Sequence, residues 1–224
     1  MGRLVLAGVT LAALLSGCGS SPTTTAPNQT RTVLVDYNHD EFAVAAFAYF
    51  PRTVQVRPGD TVEFKQAWTG EPHSVTMGSY VDEQLEPLID LFERVESTGE
   101  FPEGEPEEFE NFEVPFAFSD EGLAQRAAQP CYVDAADFDG TYPGDDEMPC
   151  PNQTQAPFNG QAIYNSGLIP FEGVGGNTYK VELADDLPTG TYSFFCNVHG
   201  PLQFGKVEVK EPGSEIPSAS AVAK

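Results

Sequence analysis

Two parts of this chain alternate between apolar and polar residues, and a long stretch of different character separates them. In the first part, 33–36 is a short β-branched run and 42–50 is apolar nearly throughout. Residues 53–57 alternate, with Val54 and Val56 on one face, and Pro58-Gly59-Asp60 marks a turn. Residues 61–66 alternate again with Val62 and Phe64 inward, and 73–77 follow after a loop. In the second part Tyr179, Val181 and Leu183 alternate, and Pro188-Thr189-Gly190 turns the chain. Tyr192, Phe194 and Cys196 then share one face, because side chains in a strand point to opposite sides with period two. Val207 and Val209 sit inward between Lys206, Glu208 and Lys210. Short alternating strands joined by Gly/Pro turns predict a β-sandwich.

Between these parts the period changes. Val81, Leu85, Leu88, Phe92 and Val95 recur at helical spacing, which predicts a helix within 80–97 that Pro87 starts or bends. Residues 98–116 are rich in Glu, Pro and Phe and read as extended or mobile, and 121–129 as a second short helix. Over 79–150 there are 21 acidic and 2 basic residues, a net charge of −19. The blocks outside this segment, 31–78 and 157–210, together hold 102 residues, about the size of one sandwich domain. The reading is therefore one domain over 31–210 that carries a partly helical acidic insertion at about 79–156. A polar tail follows at 211–224.

The charge narrows the partners. The chain of 224 residues has 34 acidic and 11 basic side chains, a formal net charge of −23. This disfavours nucleic acid and anionic lipid, whose binding rests on cations. The N-terminus points to export. Arg3 precedes the apolar run 4–15, which is too short to span a bilayer and fits a secretory signal. The run closes with Leu15-Ser16-Gly17-Cys18, which resembles the bacterial lipobox. That resemblance implies a signal peptide at 1–17, a lipid on Cys18, and attachment to the outer face of the cell membrane. Residues 18–30 then form the lipidated Cys and a flexible tether.

Three further cysteines lie in an oxidising setting. Cys131 and Cys150 flank a loop of 18 residues in the insertion. A disulfide between them would contribute ~3 kcal/mol by loop entropy. Cys196 is left over, as a buried apolar thiol, a member of a different pair, or a metal ligand. Its surroundings favour a ligand. In Phe195-Cys196-Asn197-Val198-His199-Gly200 a thiolate at a strand end and an imidazole three residues on can reach one ion, and Glu71-Pro72-His73-Ser74 offers a second imidazole. A structural zinc site wants a fourth good ligand. One Cys, two His and a weak axial group is the set that suits blue copper.

With these residues the chain resembles the cupredoxin family of plastocyanin and azurin type. The resemblance is carried by RPGDTVEF, PHSV and GTYSFFCNVHGPLQFGKVEV, and it covers both strand blocks. It implies an all-β, cupredoxin-like Greek-key sandwich with one type 1 copper held by His73, Cys196 and His199. The family's axial Met usually lies two residues before the loop-closing Gly, and Gln203 occupies that place before Gly205. Gln203 is the axial candidate. The alternatives are that it faces solvent, with Leu202 or no side chain in the axial position. Met77 reads as core, and Met148 lies in the acidic loop.

Other groups point to less. His39 reads as a solvated loop residue, and Asp137, Asp139, Asp145, Asp146 and Glu147 as acidic surface rather than a calcium loop. Trp68 reads as packing. No Ser/His/Asp set or phosphate-cradling loop argues for an enzyme. The function expected is single-electron transfer outside the cytoplasm to a redox protein partner, a basic one if the acidic insertion steers it. A copper chaperone or store, or an interaction module with a vestigial site, are the alternatives.

Overall fold

The computed structural model describes residues 27–39, 44–66, 73–104, 106–111, 156–169 and 177–217. Its elements are β1 (Thr30–His39), β2 (Val44–Phe50), β3 (Thr53–Val56), β4 (Thr61–Gln66), β5 (Thr76–Met77), α1 (Ser79–Thr98), α2 (Glu107–Glu110), β6 (Tyr164–Asn165), β7 (Thr178–Glu182), β8 (Gly190–Cys196) and β9 (Gly200–Val209). One sheet has the order β2-β1-β4-β7 and the other β3-β9-β8-β5-β6. The β1–β4 and β3–β9 pairs are parallel, and the remaining pairs are antiparallel. The chain passes from one sheet to the other after β2, β3, β4, β6 and β7. This is the all-β Greek-key sandwich that the alternation and the resemblance implied.

The inward faces are those the alternation set. Val54, Val56, Val62, Phe64, Val181, Phe194, Cys196, Val207 and Val209 fill the space between the sheets with Val33, Val35 and Met77. Phe194 meets Tyr49 and Phe64 edge to face, at ring centroids 4.8 and 5.0 Å apart, a favoured aromatic arrangement.

The helix is a single 20-residue element with Pro87 inside it, not at its start. It buries Val81, Leu85, Leu88, Ile89 and Leu91 against Phe195, Phe204 and Ile163 on the outer face of the second sheet. Phe195 follows Phe194, so successive residues of β8 feed two different cores. Within 98–116, which the composition reads as extended or mobile, 107–110 form α2. There Phe109 packs on Phe92 at 5.9 Å and Arg94 pairs with Glu108 at 2.9 Å, contacts that a propensity reading of isolated Glu and Pro does not foresee. The expected loop residue His39 lies in β1, paired through its backbone with Val44. At the chain ends, Thr30 is the first residue of β1 and Arg31 Nη1 donates to the Pro217 carbonyl at 2.9 Å. Cys18, Trp68, the 121–129 segment, the Cys131–Cys150 pair and the acids between that pair lie outside the described residues.

The carboxyl of Asp82 is half-buried where helix and sheet meet. Asp82 accepts a hydrogen bond from the Ser193 amide. Burial pushes its carboxyl up from the usual 3.8 to about 6 against that hydrogen bond, and Glu86 adds repulsion. The fold thus favours the protonated acid, so its stabilising share is complete below about pH 4 and is lost as pH rises through about 6. Asp82→Asn is expected to exceed the native protein in stability at pH 7, by up to ~3 kcal/mol for a shift of about two pKa units. Urea unfolding at pH 7 and pH 4 checks this. The gap should close at the lower pH, and a gap of equal size at both would assign it to something other than ionisation.

Candidate metal centre

Three segments meet at one end of the sandwich. Cys196 is the last residue of β8 and inherits the inward direction of Phe194. Residues 197–199 turn the chain, and Gly200 re-enters β9 opposite Cys196 with φ 68°, a left-handed conformation that a side chain disfavours. His73 lies just before β5, and its backbone is tied to Ile169, whose amide donates to the His73 carbonyl at 2.6 Å.

The turn and the bridge bring the predicted residues together. Cys196 Sγ is 3.6 Å from His199 Nδ1 and 3.8 Å from His73 Nδ1. All three donor atoms lie within 4.8 Å of one another. Two donors that share an ion through bonds of about 2.0 Å to nitrogen and 2.3 Å to sulfur stand roughly 3.6 Å apart, so the spacing fits one common ion. The imidazole rings lie 4.6 Å apart at 32°. Cys196 and His73 are wholly buried, whereas His199 is half-buried and forms the solvent side.

The electrostatics suit a thiolate. Burial alone would raise the Cys196 pKa, but hydrogen bonds from His199 and His73, the charge of His73 and the Ser74 amide outweigh it and bring it down to about 6. Burial likewise disfavours the His73 imidazolium, but hydrogen bonds to Asp36 and Cys196 prevail and lift its pKa to about 9. Both shifts favour a thiolate beside an imidazolium before metal binds, and an incoming cation would displace a proton.

A polar layer fixes the sulfur. The Ser74 amide donates to Sγ at 3.4 Å, and Ser74 Oγ accepts from the Asn197 amide at 2.8 Å. Asn197 Oδ1 accepts from Asn165 Nδ2 at 2.9 Å and also from Thr76 Oγ1. Tyr49 closes the layer, its hydroxyl donating to the Ser74 carbonyl at 2.6 Å. Ser74, Thr76, Asn165 and Asn197 are all buried, and each hydrogen bond removes a way for the ligand loop to shift.

Gln203 reaches the same place. On β9, Phe204 pairs with Phe195 and Gly200 with Cys196, so 201–203 form an excursion from the ladder. Such a bulge re-aims side chains. Gln203 is buried, and its Oε1 is 3.1 Å from His73 Nδ1. The solvent-facing alternative for Gln203 is thus excluded, and Leu202 instead is 66% exposed. Gly205 ends the excursion, where a Cβ would fall 2.3 Å from Phe194 and 2.8 Å from the Arg52 carbonyl oxygen, so only glycine fits. Met77 is buried in the sandwich core, as its strand position predicted.

One polar group was not foreseen. Asp36 is wholly buried against His73 and Gln203. With Val33 and Val35 inward, alternation sends residue 36 outward. The register of β1 on β2 shifts between Val35 and Tyr37, and Asp36 has φ 60°. No hydrophobic pattern announces a bulge at that point. Ser74, by contrast, was in plain view beside His73.

No family model matches the sequence, and no curated protein matches it significantly. Solved structures do resemble the fold. A dithionite-reduced auracyanin from the photosynthetic bacterium Roseiflexus castenholzii is 14% identical, with 83% of this chain and 98% of that one covered, at a TM-score of 0.38. A mutant plastocyanin of fern is 15% identical, with 80% and 100% covered, at 0.32. A purple cupredoxin from Nitrosopumilus maritimus is 13% identical, with 80% and 98% covered, at 0.33.

Proposed function

We propose that this chain is a type 1 copper protein that passes single electrons between partners outside the cytoplasm. The observation that carries this reading is the convergence of one buried thiolate-forming Cys196 with the Nδ1 atoms of His73 and His199. One soft sulfur, two imidazoles and a buried amide oxygen suit copper better than zinc, which in structural sites takes four Cys or His ligands. Bound copper would supply a Cu(II)/Cu(I) couple. The chain does the rest. His73, Cys196 and His199 would hold the ion with Gln203 Oε1 as a further, weak ligand, while the Ser74 amide donates to the sulfur and Asn197 ties down Ser74.

Half-buried His199, the least buried of the three ligands, would give the electron its way to the surface. We assign the same lipid anchor and acidic insertion roles in that setting. Cys18 would hold the domain at the outer face of the membrane, and the acids would speed encounter with a basic redox partner in a salt-dependent way.

Visible spectroscopy tests the centre. Cu(II) added to the purified chain should produce an intense thiolate-to-copper band at one equivalent. Ascorbate should bleach it and a mild oxidant restore it. A Cu(II) protein without that band has no type 1 site.

A further inference from the structure

Asp36 touches two groups of the centre at once. Its Oδ2 lies 2.5 Å from His73 Nε2, and neither of these buried atoms has another partner. Its Oδ1 accepts from Gln203 Nε2 at 3.0 Å and from the Ala48 amide at 3.2 Å. We propose that Asp36 is a positioning residue, which turns the His73 ring so that Nδ1 faces the Cys196 sulfur and turns the Gln203 amide so that Oε1 faces that same Nδ1. This rests on the copper reading above.

The donor inventory gives the reason. An imidazole has two nitrogens, and the one engaged by a carboxylate leaves the other as metal ligand. A primary amide has a donor end and an acceptor end. While Gln203 Nε2 gives its proton to Asp36, Oε1 must point the other way, toward His73 Nδ1 at 3.1 Å. A half-turn of that amide would aim an NH₂ group, which cannot ligate, at the metal. A carboxylate can serve both donors because each of its oxygens only accepts. Asparagine in the same place has one acceptor end and one donor end, so it satisfies His73 or Gln203 but not both. The bulge and the left-handed backbone at Asp36 are what place the carboxylate between them, and Asp tolerates that conformation better than most residues.

The full chain loaded with Cu(I), which is diamagnetic, allows a first measurement on the native protein. Proton NMR should show the His73 Nε2–H and the Gln203 side-chain amide as hydrogen-bonded signals protected from solvent exchange. Asp36→Asn is then compared by chelator competition for Cu(I) and by the electron paramagnetic resonance of Cu(II). Copper affinity should fall about 10–100-fold, the usual cost of losing a partner of a metal-bound imidazole, and the Cu(II) spectrum should change. Fast exchange of either native proton overturns the proposal, even if the variant does not fold. So does a variant that loses only apo stability while its affinity and spectrum match the native values. A native chain that never gives the thiolate band overturns the copper reading itself, and this is seen before any variant is made.

Discussion

Replacing Cys196 with Ser should erase the thiolate-to-copper band completely while leaving the apo domain folded. The band needs a sulfur donor, and a hydroxyl neither ionises near neutral pH nor shares electron density with copper in the same way. Serine is tolerable at this buried point because the Ser74 amide, now aimed at Sγ, can donate to an oxygen instead. The variant should also bind copper more weakly by well over the ~10–100-fold that loss of a supporting contact costs. Titration with Cu(II) and with a Cu(I) chelator reads both effects. Colour that survives the substitution would place the copper elsewhere in the chain.

Gln203→Met should raise the reduction potential. An amide oxygen is the harder ligand and favours Cu(II), whereas a thioether favours Cu(I). Each tenfold change in that preference reads as about 59 mV for a one-electron couple, and at least that much is expected. The native protein should accordingly sit below an axial-Met site of the same construction. The substitution also removes the Nε2 donor from Asp36 Oδ1, which keeps the Ala48 amide. Some ~1–3 kcal/mol of apo stability should go with it. Voltammetry and urea unfolding separate these two consequences. An unchanged potential would remove Gln203 from the neighbourhood of the metal.

The sandwich and its centre were legible in the sequence for different reasons. Val54/Val56, Val62/Phe64 and Phe194/Cys196 declared their faces because an uninterrupted strand keeps its parity. Cys196, His199 and Gln203 lie within eight residues, so their convergence needed only one turn and one return strand. Where parity breaks, reading from pattern fails. Asp36 changes face at a bulge, and its role depends on residues far away in sequence. The core beneath α1 was half visible. The helix showed its own apolar stripe, but Phe195 and Phe204 read as outward residues until the helix covers them. Asn165 was silent for another reason. It enters through the two-residue strand β6, too short to carry a period.

The helix cover has a consequence for how long a metal bound at Cys196 would stay. The β8–β9 hairpin that bears Cys196, His199 and Gln203 is central in its sheet, with Phe194 and Val207 buried on one side and Phe195 and Phe204 on the other. Segments that open locally are those with few buried contacts and exposed backbone hydrogen bonds. Away from the 197–203 turn the strands of this hairpin have neither weakness, so the amides of Phe194, Phe195 and Val207 should exchange with solvent only when α1 and the sandwich open together. If copper binds as proposed, release from the fully buried Cys196 would be tied to that rare event. A delivery protein needs the opposite, a ligand loop that loosens while the rest holds. Burying both faces of this hairpin is therefore a property that the proposed electron carrier needs and a delivery protein would not.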